Sequence, residues 1–514
     1  MEHVRLRAPS QHGEALVLPA TDPCELFEQN VGQVASFGRE MEAIRRLARK
    51  ELTGLAFDYS RQYADVERPE SGDRVVMCGH QPTLFHPGVW LKNFALSHIG
   101  QKASAVSINL MVDNDLCQSS AVSVPTVAGE QVGLSQLAFD QPEEAVPFEV
   151  RGIRDRQTFE SFGGSLASAM SPLVGDSLVS QLWPNVTRVS HLVGGGLAAS
   201  VAAGRHLLEL ENGVANLELP IGKMAEAVSF ARFFGLIANQ AGQFAEVYNT
   251  SIGEYRTAHR IRSNSHPVPV LEKDGGWQEV PFWCWTKGST KRKRLFLRGA
   301  HAVHLALSDG EKVFAKIDRK ELAENSLSKL IPEVAIRPRA LTTTMFARLF
   351  GCDLFIHGIG GAKYDQLTDR IVQRFLGVDL PGYLMVTATM RLPFAIEATT
   401  QEDVVRLQQQ LREMKFHPER LLGEEQAGEP GRAKEVLLRT RPEGSRKGWH
   451  DELEKVNAAM ADLLAGQRRE LEGRLADATR GLASGRVINS REFGFPLFPC
   501  SLIDELREMA GGIG

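Results

Sequence analysis

The sequence predicts an α/β fold built on a parallel sheet, and two observations carry that reading. Arg74–Cys78 (RVVMC) and Ala105–Val112 (AVSINLMV) are short β-branched, apolar runs, and Val89–Ile99 between them has helical character. Strand, helix and strand in that order become neighbouring parallel strands through a right-handed crossover. Further on, Asp353–His357 (DLFIH) is a strand, Gly358-Ile359-Gly360-Gly361 a turn, and Tyr364 to Phe375 a helix with Leu367, Ile371 and Phe375 on one face; Leu384–Thr389 is the next strand.

The chain reads as four stretches. Residues 1–135 hold the first strand–helix–strand unit. Residues 136–330 read as inserted material, with helical spacing over Thr158–Leu173 and Met224–Tyr248 and strand-like pieces from Val268 to Lys316. Residues 331–398 hold the second part of the sheet. From 399 to 514 the composition turns helical and charged. Thr400 with Asp403 forms a capping-box pattern, and Val404, Leu407, Leu411 and Met414 follow in heptad spacing. A polar connection over roughly 417–448 leads to a long helix carrying Leu453, Val456, Met460 and Leu463, with the register shifting at Gln467, Leu471 and Leu475. Two such helices make an antiparallel coiled-coil hairpin. Its seam is too narrow for a core of its own, so it must pack on the body or on another subunit.

Composition sets the class. With 514 residues, 43% hydrophobic and 24% charged, the chain is an ordinary globular protein with room for a large core. A net charge of −4 argues against nucleic acid or an anionic membrane as partner. Six cysteines without a CxxC pair read as reduced thiols, and no HxxxH or HExxH spacing marks a metal site. The opening residues lack a secretory apolar core and no run of about 18 apolar residues occurs, so a cytoplasmic location is expected.

Three polar clusters follow strands, where parallel sheets bind ligands. In Gly79-His80-Gln81, the glycine lets the backbone approach a ligand, His80 can donate to an oxyanion, and Gln81 can hold a hydroxyl or amide; a structural turn cap explains the same letters. Lys92 lies in the helix that follows, as a ligand for an anion or as a solvated charge. Asp113-Asn114-Asp115 offers a carboxylate as base and a second as positioner or magnesium ligand, and an Asx-turn fits it equally. Gly358 to Asp365 (GIGGAKYD) suits an anion-accepting nest backed by Lys363, or a plain strand-to-helix turn. Lys291–Arg294 (KRKR) reads as a solvated turn, and Phe282-Trp283-Cys284-Trp285 as core.

These features together resemble one family, the cysteine-adding enzymes of bacillithiol biosynthesis, which join cysteine to glucosaminyl-malate. That family's Gly-Gln-Gln loop followed by Leu-Phe is similar to Gly79-His80-Gln81 with Leu84-Phe85. Its Glu-Asp-His-Asp motif corresponds to Val112-Asp113-Asn114-Asp115, with both aspartates kept. Its Arg-Pro segment and Ile-Gly-Gly turn resemble Arg337-Pro338 and Ile359-Gly360-Gly361. The resemblance implies a Rossmann-like core related to nucleotidylyltransferases, a C-terminal coiled coil that dimerises the chain, and an amide-forming ligase. ATP would activate the carboxylate, with magnesium in attendance. The expected catalytic residues are His80, Gln81, Asp113 and Asp115. His80 and Lys363 would stabilise negative charge, and Asp113 or Asp115 would take the proton of the amine. Substrate or nucleotide would be held by Gly79, Phe85, Lys92, Asn114, Gly360, Gly361, Lys363 and Asp365. The alternatives are a reaction that stops at an adenylated product, and a dimeric, non-catalytic metabolite binder.

Overall fold

The computed structural model describes residues 6–34, 37–129, 131–261, 268–299, 302–440 and 446–513. The chain divides into two compact units, the first comprising 1–124, 136–392 and 491–514 and the second 125–135 and 393–490.

The first unit holds two large sheets. Their strands in chain order begin with β1 (Glu14–Leu18), β2 (Val75–His80), β3 (Val106–Met111) and β4 (Leu217–Pro220). Then come β5 (Trp277–Thr286), β6 (Lys293–Arg298), β7 (His304–Ser308), β8 (Val313–Asp318) and β9 (Val334–Pro338), and finally β10 (Leu354–His357) and β11 (Tyr383–Thr389). One sheet runs β1-β11-β10-β2-β3-β4 and the other β8-β7-β6-β5-β9. In the first sheet β11, β10, β2, β3 and β4 are parallel, and only β1 is antiparallel. The expected parallel sheet is therefore mixed. Its antiparallel edge strand is short and half exposed, so it lacks the apolar run that marks the buried strands. The inserted stretch supplies β4, whose Glu218 hides the strand from an apolar-run reading.

The helices of this unit that bear on function are α1 (Arg39–Ser60), α2 (Pro87–Lys102), α3 (Leu197–Glu211) and α4 (Ile359–Leu376). Val75 and Met77 of β2 join Ala48, Leu52 and Phe57 of α1 in the main apolar core. Cys78, on the opposite face by the two-residue repeat of a strand, meets Asn93 of α2 at 3.7 Å. Helix α2 lies so close to β11 that a Cβ on Gly88 would sit 2.1 Å from the Ala388 carbonyl oxygen. Gly88→Ala should thus force the helix off the sheet and cost about 1–3 kcal/mol, read as a lowered urea midpoint.

The second unit contains four helices, α5 (Gln401–Phe416), α6 (Glu419–Arg439), α7 (Lys447–Leu463) and α8 (Ala465–Ile488). The capping box forms, with Thr400 Oγ1 accepting the Asp403 N–H and Asp403 Oδ2 accepting the Thr400 N–H. Two expectations change here. The polar connection is largely helix α6, bent at Gly423 and Gly428 and tied by Lys434 Nζ to the Phe416 carbonyl at 2.6 Å. Residues 441–445 of that connection lie outside the described residues. The single long helix breaks at Leu464, and α5 packs with α8 while α6 packs with α7, so the hairpin of two helices is a group of four. Among the described residues no helix is long and apolar enough to cross a membrane.

Candidate functional site

The parallel strands β2, β3 and β10 end side by side, and the three polar clusters follow them in space as in sequence. His80 closes β2. Its Nε2 lies 3.1 Å from Asn93 Oδ1, and the edge of Phe85 meets its ring with centroids 4.2 Å apart. Burial, with the nearby Lys92 and Arg205 cations, holds the imidazole pKa well below its ordinary value. Gln81 is exposed, and its Nε2 donates to Asp115 Oδ2 at 2.5 Å. Asp115 Oδ1 accepts from Arg292 Nη1 at 3.2 Å and from the Leu116 N–H at 2.8 Å. Arg292 lies over the Trp283 ring, 4.2 Å from its centroid. Arg292 is mostly covered and belongs to the candidate site, which corrects the reading of Lys291–Arg294 as a solvated turn at that residue, while Lys291 and Arg294 are exposed. Phe282, Cys284 and Trp285 of the neighbouring strand are buried core.

Lys92 is buried, and Nζ donates to the Gly79 carbonyl at 2.8 Å. Its Cε is 3.9 Å from where a Cβ on Gly358 would stand, so the ammonium stem joins the Gly79 loop to the start of α4. Burial lowers its pKa. The solvated alternative for Lys92 is thereby corrected.

The other members fall elsewhere. Asn114 is buried and its Nδ2 donates to the Pro338 carbonyl at 2.6 Å, so its amide pins the loop to β9 and does not face a ligand. Gly360 and Gly361 form the first turn of α4 without the left-handed residue a nest requires; its free N–H groups are those of a helix start. Lys363 is exposed on that helix, away from the buried cluster. Asp365 is buried, accepting from Arg348 Nη1 at 2.5 Å, His357 Nε2 at 2.9 Å and Thr344 Oγ1 at 2.7 Å. Burial pushes its pKa up, but Arg348 and His357 outweigh this and hold the carboxyl below the usual range. Its oxygens are occupied by protein, and it is a structural anchor.

Asp113 faces inward. Its Oδ1 accepts the Gly222 N–H at 2.9 Å, and a Cβ on Gly222 would stand 3.0 Å from Asp113 Oδ2 and 3.1 Å from Glu149 Oε2. Glu149 in turn is chelated by Arg337, at 2.8 and 2.7 Å. Burial and the Glu149 charge push the Asp113 carboxyl well above the usual carboxylate range. The unfolded chain then ionises this group first as pH rises above about 4, so the folded state binds the extra proton and stability falls toward neutrality. Asp113→Asn keeps an oxygen for Gly222 and offers an amide to Glu149. It should flatten that slope and gain on the order of 1 kcal/mol at pH 8, measured by urea titrations across pH.

Sequence reading missed the layer beneath. Glu209 of α3 accepts from Trp90 Nε1 at 2.6 Å, Asn93 Nδ2 at 2.7 Å and Arg205 Nη1 at 2.6 Å. Arg205 Nη2 continues to Glu218 Oε1 at 2.8 Å, which also accepts Asn109 Nδ2 at 2.9 Å. The i,i+4 spacing of Arg205 and Glu209 was the available signal. Beside Gln81 opens a cleft of about 370 Å³, lined by Leu84, Cys117, Phe148, Val201 and Glu492 among others. Among the described residues no group of side chains is arranged to hold a metal ion.

Fold and site define an α/β protein with a mostly parallel sheet and a polar cluster at the carboxyl ends of its strands. In comparisons with known proteins, no family model matches the chain and no curated protein matches it significantly.

Proposed function

We propose that this chain is a ligase that joins a carboxylate to an amine on a small polar substrate at the expense of ATP. One observation carries the reading: a buried ammonium, the start of an 18-residue helix, a half-buried imidazole and the Gln81–Asp115 pair meet at the carboxyl edge of a parallel sheet. Anions are favoured at such a helix start, and Lys92 adds a full charge where water is scarce. In the proposed reaction a carboxylate oxygen attacks phosphorus of ATP and displaces pyrophosphate or ADP. The amine nitrogen then attacks the acyl carbon, the C–N bond forms, the phosphate or adenylate group leaves with its electron pair, and one proton is released. Asp115, partly exposed and held by Gln81 and Arg292, is placed to hold the amine. Magnesium would travel with the nucleotide, bound mainly by its phosphate oxygens.

The resemblance to the cysteine-adding enzymes supports cysteine and glucosaminyl-malate as the first pair to test. The same reading includes a dimer through the second unit, where Val436, Leu438 and Leu463 are 59%, 53% and 63% exposed. Mass spectrometry of the protein with ATP, magnesium, cysteine and glucosaminyl-malate tests the reaction, with His80→Ala alongside. A cysteinyl amide lost in the variant is the expected result. Nucleotide cleavage that ignores the amine would favour an adenylyl transfer instead, and ligand-dependent stabilisation without turnover would favour a metabolite binder.

A further inference from the structure

The cleft beside Gln81 differs in chemistry from the rest of the site. Its floor is the buried trio Cys117, Phe148 and Ala198, and Leu84 and Val201 stand along its walls. Burial raises the Cys117 pKa and keeps the floor uncharged, and the thiol is spent on the Ser119 carbonyl at 3.6 Å. Among the described residues that line the cleft there is no lysine, arginine or histidine, and the exposed carboxylate of Glu492 stands at its rim. A phosphate or a sugar on that floor would give up hydrogen bonds to water without replacing them, and a phosphate would also meet a like charge. An aliphatic group loses nothing there, and its burial is favourable. At about 370 Å³ the cleft lies near the lower end of small-molecule sites, which span about 300–1,000 Å³.

Asp115 is tied to the edge of this cleft. Leu116, the next residue, lines it, and so does Gln81, which donates to Asp115 Oδ2 at 2.5 Å. The N–H of Phe148 donates to the Asp115 carbonyl at 2.9 Å. A carboxylate has about four acceptor positions. Arg292 and the Leu116 N–H fill those of Oδ1, and Gln81 takes one on Oδ2. The side chain is 43% exposed, so the remaining position on Oδ2 is open to a donor arriving from solvent.

We propose that the cleft is the subsite for an aliphatic group on the amine substrate, whose nitrogen is held by Asp115. The assignment rests on the ligase reading, in which Asp115 holds the amine, and it narrows that substrate to an amphiphile, polar at the nitrogen and apolar in the carbons next to it. Ala198 sets the depth of the subsite, because its methyl group is the smallest side chain of the floor. A short branched alkylamine fits this description. An amino sugar is the poorer amine, since the oxygens on the carbons beside its nitrogen would lie against Phe148 and Ala198 without partners.

The test is isothermal titration of the full chain, without nucleotide, against isoamylamine, isoamyl alcohol and glucosamine at one pH and ionic strength. Isoamylamine is expected to bind at least about tenfold more tightly than either, since the alcohol lacks the charge for Asp115 and glucosamine lacks the apolar chain. Asp115→Asn should bring the amine down to the level of the alcohol. Ala198→Phe fills the floor and should weaken isoamylamine by about tenfold or more. Should that variant fail to fold, Ala121→Phe narrows the cleft from a half-buried position in its lining and carries the same expectation. Glucosamine binding as tightly as isoamylamine, no binding of isoamylamine, or an affinity that ignores the cleft variants overturns the proposal. Binding needs no turnover, so the two readings fail separately. Isoamylamine held in the cleft of a protein that forms no amide removes the reaction and leaves the subsite. Amide formation on glucosaminyl-malate that isoamylamine does not inhibit removes the subsite and leaves the ligase.

Discussion

Glu209→Ala is expected to destabilise the first unit by about 3–5 kcal/mol, the cost of breaking a buried ion pair by removing one partner. The variant would leave Trp90 Nε1 and Asn93 Nδ2 without their acceptor and Arg205 with Glu218 alone. Each stranded donor carries its desolvation penalty, because α3 is buried there and water cannot replace the carboxylate. Chemical unfolding followed by a signal from the first unit should show a clear fall in midpoint. Arg370→Ala is the control. It removes an exposed ion pair to Glu254 and should change stability by less than about 1 kcal/mol. Equal effects of the two substitutions would mean that water satisfies the donors that Glu209 leaves behind.

Lys92→Met is the second case, and its effects should run in opposite directions. The ammonium is buried and donates to the Gly79 carbonyl, and among the described residues no carboxylate is paired with it. Methionine nearly matches the shape of lysine and removes the cost of burying a charge, so stability should hold or rise. Turnover should drop by about 100- to 1,000-fold, because the lost charge is the one proposed to stabilise an anionic group. Thermal unfolding and the amide-forming assay, run on the same preparation, separate the outcomes. A destabilised but fully active Lys92→Met would make Lys92 a structural prop and would remove the main cation from the proposed site.

Much of the sheet was legible because its central strands are buried on both faces. Such strands must be continuous apolar runs, as in Arg74–Cys78 and Ala105–Val112, and the polar residues that stop them mark the strand ends. The helix after β10 was legible for a related reason, since Leu367, Ile371 and Phe375 repeat at the helical period. Strand β1 was not, because an edge strand needs an apolar face on only part of its length. Helix α6 was hidden by Gly423, Gly428 and Pro430, which read as a loop but are absorbed here as bends.

The residues of the site divide in the same way. By itself the sequence determined that His80, Gln81, Asp113 and Asp115 follow adjacent strands, because chain order and strand length set where a parallel strand ends. Which of them face a ligand was decided by packing. Asp113 turns inward because Gly222 has no side chain to exclude it, Asn114 is drawn to Pro338, and Asp365 is claimed by Arg348 and His357. Lys92, Arg292 and Glu209 gain their importance only from partners 13, 177 and 119 residues away, as in the contacts to Gly79, Asp115 and Trp90. A local pattern carries no information about such partners, since the energy of a buried charge depends on what the tertiary fold sets beside it.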